Sequence, residues 1–123
     1  MEFDDSQAIY QQVADHVTES ILRGVWPEGE RIPSVRELAM ELGVNPNTVN
    51  KAYAWLQDRA LIHNQRGIGY FVSDGAADRA RELKRGEFFS VELPRVFRTM
   101  DLLGIAMNAV AAEFARHKKG AGQ

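Results

Sequence analysis

The sequence predicts a mainly helical fold that carries one small β-hairpin, and three observations support this prediction. Apolar residues recur at helical spacing in three successive segments of the N-terminal half. Capping residues and glycines mark the ends of these segments. Two short runs rich in β-branched and aromatic residues follow, and a loop with two glycines separates them.

Residues 6–24 have the pattern of an amphipathic helix. Ser6 is its expected N-cap, and Gly24 is its expected end. One face carries an apolar residue at every fourth position: Ile9, Val13, Val17 and Ile21. Residues 26–33 include two prolines and a glycine, so they are expected to form a turn-rich connection and not a helix.

Two further helices are predicted after this connection. Ser34 and Glu37 have the spacing of a capping box, and Gly43 is expected to end the helix that they begin. Asn45 is the expected N-cap of the next helix, which is predicted to continue to Arg59. Its first position is Pro46, where a proline is favoured.

Residues 34–53 have the joint pattern of a helix-turn-helix. A small residue, Ala39, lets the second helix cross close to the first, and Gly43 tolerates a positive φ at the turn. Five apolar residues are expected to face the second helix of the pair or the core: Leu38, Leu42, Val44, Val49 and Ala52. Strands predicted at 61–64 and 70–73 add a hairpin. The result is a winged helix-turn-helix, mainly α with a small β-wing, which is a DNA-binding architecture.

The N-terminal part of the third helix is expected to reach base edges in the major groove. An Asn amide pairs with adenine, and a Thr methyl group contacts the thymine methyl group. The predicted DNA-binding residues of this helix are Asn45, Asn47, Thr48, Asn50 and Lys51. Arg66 at the hairpin tip suits a minor groove or the adjacent backbone. Arg36 opposes the helix dipole where it lies, so a DNA phosphate is its expected partner. The alternative for each of these side chains is a solvated or capping role.

These motifs resemble the GntR family of bacterial transcription regulators. The resemblance covers residues 9–72 and rests on the segments PEGERIPSVRELAMELGVNPNTVNKAYAWLQDRALI and RGIGYFV. The form NPNTV and the short tail are similar to the YtrA branch of that family. The resemblance implies a winged-helix dimer that binds operator DNA, usually represses, and often controls transporter or envelope-stress operons. It also implies that DNA is contacted by Ser34, Arg36, Asn47, Thr48, Arg66 and Gly67. Many relatives carry Arg where this chain has Pro46, so one of their contacts is absent here.

The tail is expected to make the protein a homodimer, which divides the chain into a reading domain, 1–74, and a helical dimerisation region, 75–123. Gly86 and Pro94 are expected to interrupt the tail helices, the last of which is predicted over 105–118. Helices with about a dozen apolar residues cannot close a core of their own, so they must pack on the winged helix, on a second copy, or on both. A two-fold dimer then predicts an inverted-repeat operator. The residues expected in its interface are Leu83, Val96, Met100, Leu103, Met107, Val110 and Phe114.

Composition argues against several other functions. The chain has no cysteine, which excludes disulfides and thiolate zinc sites. His16, His63 and His117 lack the spacing of a metal-binding helix, and no catalytic or phosphate-loop motif is present. We therefore expect no enzyme activity and no cofactor. No apolar run is long enough to span a bilayer, and residues 1–5 do not have the character of a signal peptide, which predicts a cytoplasmic protein without a membrane partner.

The net charge of the chain leaves two alternatives to the simple DNA-binding regulator open. The net charge is −2, but five acids and no Lys or Arg lie within residues 1–22, so the rest of the chain is not acidic. One alternative adds to the main interpretation a small-molecule effector that binds between the tails of two subunits. The other is a protein-interaction adaptor with little affinity for DNA. The salt dependence of DNA binding distinguishes the adaptor from the regulator.

Overall fold

The computed structural model describes residue 3 and residues 7–121. The predicted fold class is confirmed: the described residues are mostly helical and include one two-stranded antiparallel sheet. In chain order the elements are α1 (Ile9–Leu22), α2 (Val35–Leu42), α3 (Pro46–Asp58), β1 (Ile62–Gln65), β2 (Gly69–Val72), α4 (Ala76–Glu87), a π-helical segment (Phe88–Glu92), α5 (Leu93–Leu103) and α6 (Met107–Ala121).

Helix α1 presents most of the predicted apolar face to the core. Val13, Val17 and Ile21 are buried, whereas Ile9 in the first turn is 48% exposed. The residue before the helix is Ala8, whose side chain cannot cap it. The predicted cap Ser6 lies outside the described residues. Since the helical face is set by the spacing of apolar residues and not by the cap, its buried stripe could be predicted without knowledge of the first turn.

Helices α2 and α3 form the predicted helix-turn-helix. Gly43 follows α2 with φ of 70°, in the left-handed region that a glycine adopts without strain. The Val44 amide donates to the Ala39 carbonyl over 3.0 Å, which closes the end of α2. Ala39 and Val49 are buried, as the motif requires. The turn therefore holds the two helices by local backbone chemistry as well as by packing.

The wing is a hairpin with an additional segment along its edge. Strands β1 and β2 pair in a register that places Ile62 opposite Val72, and both residues are buried. Residues 29–32 lie along the other edge of β2, where the Ile32 amide donates to the Tyr70 carbonyl over 2.9 Å and the Val72 amide donates to the Glu30 carbonyl over 3.0 Å. The connection before α2, predicted only as a turn-rich loop, thus extends the wing sheet.

Tyr53 connects the helices to this sheet. Its side chain is completely buried on α3, and its hydroxyl donates a hydrogen bond of 2.7 Å to the Pro33 carbonyl. Its ring packs edge-to-face with Tyr70 of β2 at a centroid distance of 4.8 Å. Burial raises the pKa of the Tyr53 phenol above its ordinary value, so the hydroxyl remains a donor at neutral pH.

The first half of α4 belongs to the same core. Ala76 and Ala80 are buried, and Leu83 packs half-buried against the core cluster. The Arg79 guanidinium donates two hydrogen bonds, of 2.9 and 2.7 Å, to the carbonyl of Ala60, a non-glycine residue with φ of 57°. The chain divides into two compact units, one ending at Lys84 and one beginning at Arg85. The division thus falls later than the predicted boundary at 74/75.

The second unit contains α5 and α6. Pro94 lies in the first turn of α5, and the π-helical segment directly before it accommodates the missing amide hydrogen. Gly86, predicted as an interruption, instead lies inside α4, because its neighbours are strong helix formers that offset the cost of one glycine. Gly104 ends α5 with φ of 69°. Helix α6 continues to Ala121, past its predicted end.

The Tyr53 hydrogen bond gives a stability test. We expect Tyr53→Phe to lower the free energy of unfolding by about 1–2 kcal/mol, because the variant keeps the ring but leaves the Pro33 carbonyl without its donor. Urea denaturation measures this loss. Tyr10→Phe is the matched control, since the Tyr10 hydroxyl has no hydrogen bond to another described residue. Equal stability of the two variants would contradict the assigned role.

Candidate nucleic-acid interface

The N-terminus of α2 is closed by the predicted capping box. Ser34 Oγ accepts a hydrogen bond of 3.1 Å from the Glu37 amide, and Glu37 Oε1 accepts one of 2.9 Å from the Ser34 amide. These hydrogen bonds from the Ser34 backbone and side chain hold the pKa of the Glu37 carboxyl below its ordinary value. The side chain of Ser34 is a cause of this lowered pKa, so its hydroxyl serves the Glu37 carboxylate as well as the Glu37 amide and is engaged within the capping box.

The N-terminus of α3 is capped by a single side-chain hydrogen bond. Asn45 Oδ1 accepts a hydrogen bond of 2.8 Å from the Asn47 amide, which leaves the side-chain NH2 group of Asn45 as a donor. Asn47 and Asn50 are exposed and Thr48 is half-exposed. Their side chains make no hydrogen bond to any other residue that the structure describes. The first turns of α3 therefore present unoccupied donors and acceptors, as a helix that reads base edges must.

Lys51 has a second role that the sequence did not indicate. Its amino group lies 4.4 Å from the centroid of the Tyr10 ring, in a cation–π contact between α3 and α1. This contact directs the side chain toward α1, although the residue is exposed. Lys51 is the charged residue among the predicted DNA-binding residues of α3, and its charge already has a partner in the Tyr10 ring.

The predicted cations on α2 and the wing have no such partner. Arg36 and Arg66 are exposed, and neither makes a hydrogen bond or ion pair within residues 7–121. Arg66 lies in the hairpin loop beside Gly67, whose φ of 78° makes the tight turn possible. The Ile68 amide closes this turn with a 2.9 Å hydrogen bond to the Gln65 carbonyl. Both guanidinium groups are therefore free to bind an anion outside the protein.

The predicted dimerisation residues fall into two groups. Leu83 belongs to the first compact unit and packs against its core, and Met100 is only 9% exposed. The other five lie in the second unit, all exposed except the half-buried Val110: Val96, Leu103, Met107, Val110 and Phe114. The sequence pattern identified these positions as apolar but could not separate those that pack within the chain from those left uncovered.

The two crossed helices, the glycine turn between them and the hairpin that follows define a winged helix-turn-helix, the DNA-binding domain of many transcription regulators. The sequence profile of the bacterial regulatory proteins of the gntR family matches residues 9–72, which is more than half of the chain. The chain therefore belongs to the GntR family, and it is a transcription regulator with a DNA-binding helix-turn-helix domain.

Three comparisons describe its relatives. The HTH-type transcriptional repressor YtrA of Bacillus subtilis is 42% identical over 71 residues, which are 58% of this chain and 55% of that protein. A GntR-family regulator from Bacteroides thetaiotaomicron superimposes with a TM-score of 0.76 at 38% identity, over 93% of this chain and 99% of its own. The DNA-binding domain of AraR in complex with operator ORR3 has a TM-score of 0.54 at 30% identity, over 59% of this chain and 86% of that chain.

These relatives are regulators and not enzymes, in agreement with the expectation from the sequence. Across residues 7–121, no three His, Cys, Asp or Glu side chains converge as metal ligands. No helix in the same range is long and apolar enough to cross a membrane.

The capping box at α2 makes stability depend on pH. Folding lowers the pKa of Glu37 below 4.5, so its stabilising contribution is complete above that pH and is lost as the pH falls through the lowered value. We expect the wild type to be more stable than Glu37→Gln at pH 7, and the difference to shrink below about pH 4. Urea denaturation over this range measures the difference. Glu41→Gln, on the same helix but outside the capping box, is the control and should show no comparable pH-dependent gap.

Proposed function

We propose that this protein is a sequence-specific repressor that binds an inverted-repeat operator as a homodimer. One observation carries the proposal: Asn47, Thr48 and Asn50 lie in the first turns of α3, and their side chains make no hydrogen bond to another described residue. The similarity to the repressor YtrA and to the AraR domain solved on its operator supports the direction of regulation and the mode of binding.

In the proposed complex α3 lies in the major groove. The Asn47 amide pairs with an adenine edge and the Thr48 methyl group contacts a thymine methyl group, which are contacts that distinguish one base pair from another. Asn45 uses its side-chain oxygen as a helix cap and keeps its NH2 group as a donor for a phosphate, whereas the Ser34 hydroxyl must leave the Glu37 carboxylate to donate to one. Phosphate contacts of this kind fix the register in which the bases are read. Arg36 and Arg66 add charge at the edges of the same surface.

The proposed dimer forms through the second compact unit. Phe114 and Met107 on α6 are 61% and 54% exposed, and Leu103 at the end of α5 is 64% exposed. Leaving so much apolar surface in water costs about 25 cal/mol for each Å2, so a partner surface of the same chemistry is favoured. A second copy provides it, and a two-fold dimer matches an inverted-repeat operator.

The regulated genes follow from the resemblance to the YtrA branch alone. We propose that they encode a transporter or an envelope-stress response. Deleting the gene should raise the transcripts of one such operon, and RNA sequencing of the deletion strain measures this. Lower transcripts of the bound operon would instead indicate an activator.

The first experiment is a fluorescence-polarisation assay of the purified protein against DNA from upstream of its own gene, at several salt concentrations. Saturable binding to an inverted repeat that survives excess competitor DNA supports the proposed regulator. Binding no stronger than to random DNA, with little salt dependence, would favour the protein-interaction adaptor.

Asn47→Ala tests the base-reading role. We expect the affinity for the operator to fall by about ten- to a hundredfold, and one base position in each half-site to lose its preference, because a bidentate amide contact contributes about 1–3 kcal/mol of discrimination. A panel of operators with single base changes measures both effects. Gln57→Ala removes an exposed amide from the last turn of the same helix and should leave affinity and preference unchanged. A normal base preference in Asn47→Ala would contradict the role of Asn47.

Phe114→Asp tests the dimer interface. A buried, unpaired carboxylate opposes association, so we expect this variant to be monomeric by light scattering at concentrations where the wild type is dimeric. Ala112→Asp adds the same charge on the opposite side of α6 and should remain dimeric. Dimers of Phe114→Asp as stable as those of the control would show that the interface lies elsewhere.

A further inference from the structure

Arg31 lies on the outer face of the wing sheet. The residue forms an antiparallel bridge with Phe71, and the backbone hydrogen bonds of Glu30 and Ile32 to β2 hold it on both sides. Successive side chains of an extended segment point to opposite faces, and Ile32 is buried, so the Arg31 side chain projects away from the core. Sequence reasoning did not select this arginine, because its position depends on pairing with a strand almost forty residues later in the chain.

The guanidinium of Arg31 lies beside Gly69. A Cβ atom at position 69 would lie 2.9 Å from Arg31 Nε and 3.3 Å from Cζ, so a larger residue there would push this side chain aside. The φ of Gly69, 143°, is also one that other residues avoid. Gly69 therefore leaves room for the arginine at the start of β2.

No other described side chain neutralises this charge. Arg31 makes no hydrogen bond and no ion pair within residues 7–121. Arg31 acts electrostatically on Glu37, but the pKa of Glu37 is lowered chiefly by the hydrogen bonds from Ser34 and only to a smaller extent by Arg31. The Glu37 carboxylate is thus engaged by the capping box. An exposed guanidinium that makes no hydrogen bond or ion pair with the described residues can bind an anion from outside, and its planar fork suits phosphate.

We propose that Arg31 binds a phosphate of the DNA backbone between the α2 contact and the wing. This inference rests on the proposed function. Arg31 is three residues before Ser34, and its guanidinium packs on Gly69, which pairs with Gln65 directly before the hairpin tip at Arg66. The residue is therefore placed between two groups that are proposed to contact DNA. A phosphate contact there would attach the wing to the same DNA backbone that α2 is proposed to contact.

This position predicts a contact that strengthens binding to every sequence. A phosphate contact carries no base information, so the loss of Arg31 should weaken binding to the operator and to unrelated DNA by the same factor. It should also lower the slope of the logarithm of the binding constant against the logarithm of salt concentration. The reason is that each bound protomer releases one fewer counterion from the DNA. A merely structural role for Arg31 would not change that slope.

The test compares Arg31→Gln with Arg81→Gln, using the whole chain and two duplexes: a mixed-sequence duplex and the upstream DNA. Arg81 is an exposed arginine on α4 that is ion-paired with Asp78 at 2.8 Å, so the control removes the same charge elsewhere in the first unit. Binding is measured from about 20 to 200 mM salt. For Arg31→Gln we expect the slope to fall by about 0.9 for each bound protomer and the affinity to fall by about three- to tenfold on both duplexes. Arg81→Gln should retain the wild-type slope.

Arg31→Lys separates charge from geometry. It should keep most of the salt slope but bind less tightly than the wild type, because a lysine lacks the bidentate fork. Melting temperatures of all three variants within about 2 °C of the wild type would show that the differences in binding are not differences in folding.

The outcomes separate this inference from the proposed function. If Arg31→Gln keeps the wild-type slope, or behaves as Arg81→Gln does, the phosphate contact is wrong even where an operator is found. If no operator is found but Arg31→Gln shows a smaller salt slope than the wild type on the mixed-sequence duplex, the phosphate contact of Arg31 is supported. The proposed sequence specificity is then wrong. If the wild type binds neither duplex even at low salt, both proposals fail.

Discussion

Tyr53 lies where α3, the segment before α2 and strand β2 meet, and its geometry determines how the proposed reading surface is assembled. The hydroxyl holds the Pro33 carbonyl, next to the Ser34 cap, while the ring packs on Tyr70 of the wing. The side chain is completely buried, so neither contact competes with water. The start of α2, the body of α3 and the wing are thus fixed to one rigid aromatic group. A protein that must present three elements to one DNA duplex needs such a common reference, because a small displacement of any one of them would misalign its contacts.

The polar residue at the start of α3 satisfies two requirements with one side chain. Asn45 accepts a hydrogen bond from a backbone amide that the helix N-terminus leaves unpaired, which stabilises the fold, and its NH2 group remains a donor for phosphate. At Ser34 the two requirements compete, because its side chain is engaged with the amide and the carboxylate of Glu37. The same holds for Lys51, whose charge has a partner in the Tyr10 ring and would have to leave it in order to reach DNA.

Features set by local chemistry could be predicted from the sequence, and features set by distant pairing could not. The capping box at Ser34 and the left-handed Gly43 depend on residues within one turn of each other, and both are present as predicted. The edge pairing of residues 29–32 with β2 joins segments far apart in the chain. The glycine and prolines around residues 29–32 predicted a turn-rich connection there and not a paired segment. The hydrogen bonds from Arg79 to Ala60 are equally long-range, and with Ala76 and Ala80 they bring α4 into the first unit. Composition placed the predicted boundary after residue 74, because a change in residue types does not reveal which side of a helix is buried.

A few cations at defined positions explain how an acidic protein can be proposed to bind DNA. With a net charge of −2, general attraction to the phosphate backbone is weak, so affinity must come from a few cations at defined positions. Arg36 and Arg66 make no hydrogen bond or ion pair with the described residues, and Arg31 lies beside Gly69. Weak attraction to random DNA combined with well-placed contacts increases the ratio of specific to non-specific binding, which is the quantity that matters when an operator competes with a whole genome. The contacts proposed for α2, α3 and the wing would then determine where the protein binds.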